Sequence, residues 1–396
     1  MLLSISAAAD SLDQAKRMHD RIAGVPPYHD VGPGVPPDAV TLADMATLID
    51  AGQPLQAALL ATQAPEFYSV TLKNFAAPWT NRERSVFVPL NDYIATVIGL
   101  VRDEADFRTL LYGDIAYVGS GSGVPPYSNT SNAHYEALES GGVNLRDNLV
   151  AVTQSSLNGL PAEATAGVMT SRAAAKAFFI AGTNRAMFRF TLLNHMCNDM
   201  EQLQDTTRSP DRIRQDVSRS PGGDSRVFLN GCIGCHSGMD PMAQAYAYYD
   251  YEYDDVADPE GQFGRINYNR DGEFDPATGT RVESKYFNNA TTFPQGFATP
   301  DDAWANYWRA GQNSLLGWDP ALPGSGSGAK SMGRELAHSD AFAQCQVRKV
   351  FQNVCLRAPE DADDRAQVAA MVTSLRGSGF NLKQTFAESA VYCMGE

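Results

Sequence analysis

Two cysteines separated by two residues and followed at once by a histidine, Cys232-Ile233-Gly234-Cys235-His236, constrain this chain more than any other feature. The spacing has a chemical reason. Each thiol can add to one vinyl group of the same porphyrin while the next imidazole ligates its iron from below, which is the attachment pattern of a c-type haem. Each part needs the others: without His236, the pair Cys232 and Cys235 would read equally well as a redox dithiol or as half of a zinc site. Zinc would call for a second Cys-x-x-Cys or a Cys/His pair at finger spacing, and the remaining cysteines, Cys197, Cys345, Cys355 and Cys393, form neither. A thioredoxin-like dithiol would follow a strand of a βαβ unit, whereas Ser225 to Asn230 leads out of a polar loop and reads as a short helix. The expectation is one covalent haem c, attached at Cys232 and Cys235, with His236 as the proximal iron ligand.

Bulk properties narrow the classes. At 396 residues there is room for two or three domains, and 43% hydrophobic with 19% charged residues is ordinary globular composition. A net charge of −15, from 31 basic and 46 acidic residues, argues against nucleic acid and against an anionic membrane surface. The field suits a basic redox protein as partner. No apolar run approaches the roughly 18 residues a membrane span requires. The opening Met1 to Asp10 has no basic region ahead of its short apolar stretch. Because haem c is attached outside the cytoplasm, the expectation is a periplasmic or extracellular protein whose numbered chain lacks its export signal.

The four other cysteines suit an oxidising compartment. Cys345 and Cys355 lie ten residues apart on what reads as one helix, about 15 Å along its axis, so they cannot pair with each other. Cys355 and Cys393 close two antiparallel helix returns and would meet at one end, which leaves Cys197 with Cys345. Of three connectivities, Cys197–Cys345 with Cys355–Cys393 is the one expected.

The fold class expected is mostly α. A polar helix from Asp13 to Ile22 precedes a Pro/Gly-rich arm; Thr41 caps a helix that ends at Gly52, and Pro54 opens another. Asn91 to Val101 carries a helical apolar stripe that Phe107, Leu110 and Leu111 continue, and residues 119–132 are a turn-rich loop. Helical pattern resumes at Ser171, breaks near Gly182 to Asn184 and runs on to His195. A polar linker from Gln204 to Asp224 then marks a boundary between a helical N-terminal domain, 1–215, and a haem-bearing domain, 216–396.

In the second half Asp240-Pro241 reads as a helix start, with Asp as cap and Pro at the first position. The aromatic run Tyr246, Tyr248, Tyr249, Tyr251 and Tyr253 reads as the wall of the haem pocket rather than an electron relay. Residues 260–290 read as a small β-hairpin insertion, Phe263–Tyr268 returning through Asp271-Gly272 to Thr280–Val282. Asn267, Asn269, Asp271, Gly272 and Asp275 hint at a calcium loop, but Thr278 stands where a bidentate Glu belongs, and a plain turn is the competing reading. A loop from Pro320 to Lys330 leads to closing helices over 340–392: Asp340–Cys355, Asp361–Arg376 and Leu382–Tyr392. No internal repeat is present.

At Cys232 to Pro241, with Gly264-Arg265 and Asp271-Gly272 after it, the chain resembles the planctomycete-type cytochrome c-like proteins, exported bacterial proteins with a Cys-x-x-Cys-His-x-x-Met-Asp-Pro haem motif. Leu336 to Cys345 and Val350-Phe351 extend the likeness; Pro65 to Tyr68 and Ala166 to Thr170 are weaker echoes. About half the chain is covered. The resemblance implies haem, export and a cytochrome c-like helical C-terminal domain, and says little about a reaction. Members commonly have Gly-Phe soon after Met-Asp-Pro, whereas Met242 to Tyr246 follows here, so the pocket is built differently, with Tyr246 as a haem-contact candidate.

The sixth iron ligand decides function. Met332 is the first candidate, since it lies in a loop just before a helix, where small cytochromes resembling this half supply a distal methionine. His195, on an apolar face with Met187, Phe188 and Leu192, is the second, and His338 at a helix start the third. Each has a plain alternative: packing, a satisfied core histidine and a cap neighbour. Two protein ligands would make an electron-transfer protein. An open distal site would make a haem peroxidase or oxidase, covered by the N-terminal half. A structural component of a cell-surface haem assembly is the third class. No Gly-x-Ser-x-Gly, P-loop or dinucleotide fingerprint supports hydrolase or nucleotide chemistry.

Overall fold

Asn91 accepts a hydrogen bond from the Ile94 amide (3.1 Å) and so starts the helix Asp92–Arg102, whose residues from Asp92 to Val101 are all buried. A helix apolar on every side belongs at the centre. Around it pack the turn Phe107–Leu111, the strand Ala116–Gly119 and the helix Arg172–Phe178. The computed structural model describes residues 10–30, 35–36, 39–180, 184–214, 225–276, 279–283, 286 and 296–395. Over these the chain is mostly helical, with three two-stranded antiparallel sheets.

Capping chemistry sets most helix starts. Thr41, Ser171, Ser339, Asp361 and Asn381 each accept the backbone N–H three residues on, opening Leu42–Asp50, Arg172–Phe178, Asp340–Cys355, Ala362–Gly377 and Leu382–Cys393. Each cap contributes about 1 kcal/mol. The three closing helices stack on one another, and the first helix, Ser11–Ala23, packs on the last. Both disulfides pair as expected, Cys197–Cys345 and Cys355–Cys393, with Cα separations of 5.3 and 5.5 Å.

The division at 215 is not a division of the core. One apolar cluster runs from Ala15 to Ala390, and the helix Arg185–His195 packs on both Ile233–Ala243 and Asp340–Cys355. Residues 181–183 and 215–224, including most of the break near Gly182 and half of the expected linker, lie outside the described residues.

Three local expectations are corrected. The hairpin forms one strand earlier: Tyr249–Glu252 pairs with Arg265–Tyr268 in the register Tyr249↔Tyr268 to Glu252↔Arg265. Tyr249, Tyr251 and Ile266 alternate into the core, while Asp275↔Thr280 is only an isolated bridge and Val282 is buried in a separate small cluster with Ala247 and Tyr286. The loop behind it is tied by Asn269 Nδ2 donating to the Arg281 carbonyl (3.2 Å) and Arg281 Nε to the Gly272 carbonyl (2.7 Å). Thr278 of the calcium pattern lies outside the described residues.

Asp240-Pro241 does not start a helix. Helical turns from Ser225 run through Cys232 into Ile233–Ala243, with Pro241 inside. Met332, expected in a loop, is inside the helix Gly328–Ala337, which begins where the Gly328 amide donates to the Asp302 carbonyl (3.1 Å). The run Gly324 to Gly328 hides this start, because its glycines lower helix propensity.

Asp302 itself is half-buried, and burial, reinforced by the neighbouring Asp301 charge, pushes it up to about 6. Its folded pKa lies above the unfolded value of about 3.9, so the folded state holds the extra proton. The stability this contributes is present below about pH 4 and lost as pH rises through 6. Asp302→Asn is expected to raise stability by about 1 kcal/mol at pH 7, after allowance for solvent screening, and to change nothing below pH 4. Denaturant midpoints at the two pH values check it.

Candidate haem site

Cys232, Cys235 and His236 follow one another along a continuous helical path, a wide turn at Phe228–Cys232 leading into Ile233–Ala243. At i, i+3 and i+4 the two thiols and the imidazole share one face. Cys232 and Cys235 are free and half-buried, while the other four cysteines are paired. Cys232 packs with Ile233 on the small cluster of Ile213 and Phe228. Cys235 lies against the main core, its thiol 3.5 Å from the Met200 carbonyl, where a cleft of about 580 Å³ is lined by Phe190, Arg189, Met200, Met239 and Cys235 itself.

Burial pushes the Cys235 thiol up, and the nearby Cys232, Glu201 and Asp199 add to the shift. Among the described residues no three His, Cys, Asp or Glu side chains come together to hold a bare metal ion. Haem iron needs only an axial donor from the protein, which one histidine supplies.

His236 is held by its own helix. Its Nδ1 lies 3.1 Å from both carboxylate oxygens of Asp240, one turn on, and its ring leans on Phe228 at 5.6 Å. Asp240 is 1% exposed. Arg185 clamps it with Nε at 2.8 Å and a second nitrogen at 3.0 Å, and the Arg214 backbone N–H donates at 3.2 Å. Burial alone would raise Asp240, but Arg185, His236 and Arg214 outweigh it and hold the carboxyl well below its ordinary range. An ionised Asp240 accepts the Nδ1–H of His236, which assigns the tautomer and leaves the Nε2 lone pair for a metal.

The helix is pinned in place from outside. Ser237 Oγ donates to the Asp205 carbonyl (3.0 Å) and the Asp205 amide to the Gly234 carbonyl (2.9 Å). Gly238 sits beneath the buried Trp308, where a Cβ would stand 2.0 Å from the indole nitrogen, so only glycine allows this approach.

The other candidates lie in the main core or at its edge. Met332 is fully buried, beside Gly333, which abuts the Leu111 carbonyl and Met169. His195 is 1% exposed, its Nε2 is 2.6 Å from the Tyr93 hydroxyl, and Trp79 meets it edge-on at 5.3 Å. Burial, with Lys349 nearby, drops its pKa well below the ordinary value, so it is neutral. Tyr246 is fully buried, donates to Met169 Sδ (3.0 Å) and packs on Phe179 and Tyr249. His338 ends the helix Gly328–Ala337, with Nδ1 2.8 Å from the Arg334 carbonyl. None of the four hydrogen-bonds or stacks on Cys232, Cys235 or His236 among the described residues.

Sequence reasoning missed Asp240 and Arg185. The i, i+4 spacing of His236 and Asp240 was a usable signal; nothing near the motif points to Arg185, 55 residues from Asp240 in sequence.

No family model, curated protein or solved structure matches the chain.

Proposed function

We propose that this chain is a mono-haem c-type cytochrome that carries electrons in the bacterial periplasm or at the cell surface, a member of the planctomycete-type cytochrome c-like proteins. One observation carries the reading: two free thiols and an imidazole follow one another at i, i+3 and i+4 along one helical path, with Nδ1 of that imidazole held by a buried carboxylate. In this reading Cys232 and Cys235 form the two thioethers and His236 Nε2 is the proximal ligand. Haem, when bound, supplies a one-electron couple. Asp240 holds the ring of His236, and Asp205 and Trp308 hold the helix against the core. The net charge of −15 favours a basic partner protein. Two disulfides suit an exported protein, and among the described residues no helix is long and apolar enough to cross a membrane.

Met332 remains the first candidate for the distal ligand. A second reading, a haem peroxidase or oxidase with an open distal position, is favoured by the partners that the distal candidates His195 and His338 already have. Optical spectra of protein matured in a host with c-type haem machinery separate the two. The expected result is covalent haem that survives denaturation, with a low-spin spectrum unchanged by carbon monoxide, and loss of that low-spin state in Met332→Ala. Conversion by carbon monoxide would favour the enzyme, and a protein without haem bands would overturn both.

A further inference from the structure

We propose that Asp240, steadied by Arg185, is the positioning residue that lowers the reduction potential of the site by accepting the Nδ1–H of His236. The inference rests on the haem reading of Cys232, Cys235 and His236. Asp240 lies one helical turn beyond His236, and both its oxygens stand 3.1 Å from Nδ1, so the contact does not depend on which oxygen accepts. At 1% exposure it has no bulk water to screen it. A carboxylate bonded to the far side of an imidazole makes the ring a stronger donor at Nε2. A stronger donor stabilises the more highly charged, oxidised iron and so lowers the potential.

Arg185 works in the opposite sense. Its fork takes both carboxylate oxygens, at 2.8 and 3.0 Å, and draws charge away from His236. It arrives from the helix Arg185–His195, far from the haem motif in sequence. The donor strength of His236 is therefore set by a balance between a neighbour on its own helix and a cation from another. Two substitutions should push that balance in opposite directions, which loosening of the site would not do.

The test is the midpoint potential of the purified holoprotein, with its low-spin spectrum as a check that the ligands are intact. In Asp240→Asn the oxidised-to-reduced ratio at a fixed potential is expected to fall about tenfold, an upward shift of about 59 mV for a one-electron couple. In Arg185→Gln, where Asp240 keeps its charge and loses the cation that takes both its oxygens while Arg214 remains, the potential is expected to fall. If Asp240→Asn does not fold, Arg185→Gln decides alone: a downward shift supports the assignment, and no shift or an upward one overturns it. Shifts of the same sign in both variants, or an Asp240→Asn potential within twofold of the parent ratio, also overturn it. Parent protein that carries covalent haem while the variants do not move refutes this inference alone; parent protein without haem refutes the haem reading and this inference together.

Discussion

Serine at both Cys232 and Cys235 should abolish covalently attached haem, while serine at either position alone should leave one thioether. In the proposed reading the two thiols are separate attachment points, and both are free and half-buried. Each single variant should keep haem through denaturation, with an absorption maximum moved by the vinyl group left unsaturated. The double variant should lose the haem-stained band altogether, because His236 then offers only a coordinate bond. The fold itself should survive. Neither cysteine belongs to a disulfide and neither is fully buried, so the cost stays within about 1 kcal/mol. Haem staining on a denaturing gel, with circular dichroism as the fold control, reads both. A double variant that still holds haem covalently would remove these cysteines from the site.

Alanine at both Cys197 and Cys345 should cost about 5 kcal/mol, and at both Cys355 and Cys393 about 4, in the chain-entropy account of cross-links. The difference follows from the sequence separations, 148 residues against 38. Against a typical domain stability of about 5–15 kcal/mol, either loss is large. The first bridge ties the end of the helix Arg185–His195 to the closing helix Asp340–Cys355, where Gln346 Nε2 also donates to the His195 carbonyl (3.2 Å). Its loss frees the two halves that share the core. Urea midpoints of the two double variants give the ordering, and a reversed order would mean that native-state packing at Cys355–Cys393 outweighs loop entropy.

Much of the framework was legible because it is local. Thr41, Asn91, Ser171 and Asp361 announce helix starts through hydrogen bonds that span three residues. The period of Ala343, Val347, Val350, Phe351 and Val354 marks the buried face of Asp340–Cys355, and that helix in turn forbids Cys345 from pairing with Cys355. Cys232, Cys235 and His236 lie within five residues, so one helix suffices to bring them to one face.

Where competing local signals met, sequence misled. Asp240-Pro241 has the composition of a helix start, yet the helical path arriving from Ser225 carried straight through it and turned Asp240 into a partner for His236. The glycines before Met332 read as a loop, although the helix had already begun at Gly328. In both places a local preference of roughly 1–3 kcal/mol was overridden by burial and by hydrogen bonds with the rest of the chain.

By itself, then, the sequence determined what short-range chemistry can determine: the spacing of Cys232, Cys235 and His236, the helix caps, the apolar stripes and, through helix geometry, that Cys345 does not pair with Cys355. Only the tertiary structure decided which strand pairs with Arg265–Tyr268, that both halves share one core, that Met332 is packed inside it, and that Arg185 closes on Asp240. The physical reason is range. A cap or a stripe is settled by groups a turn apart, whereas strand partners, burial and a buried ion pair are chosen among all surfaces the chain can bring together, and that competition leaves no local mark.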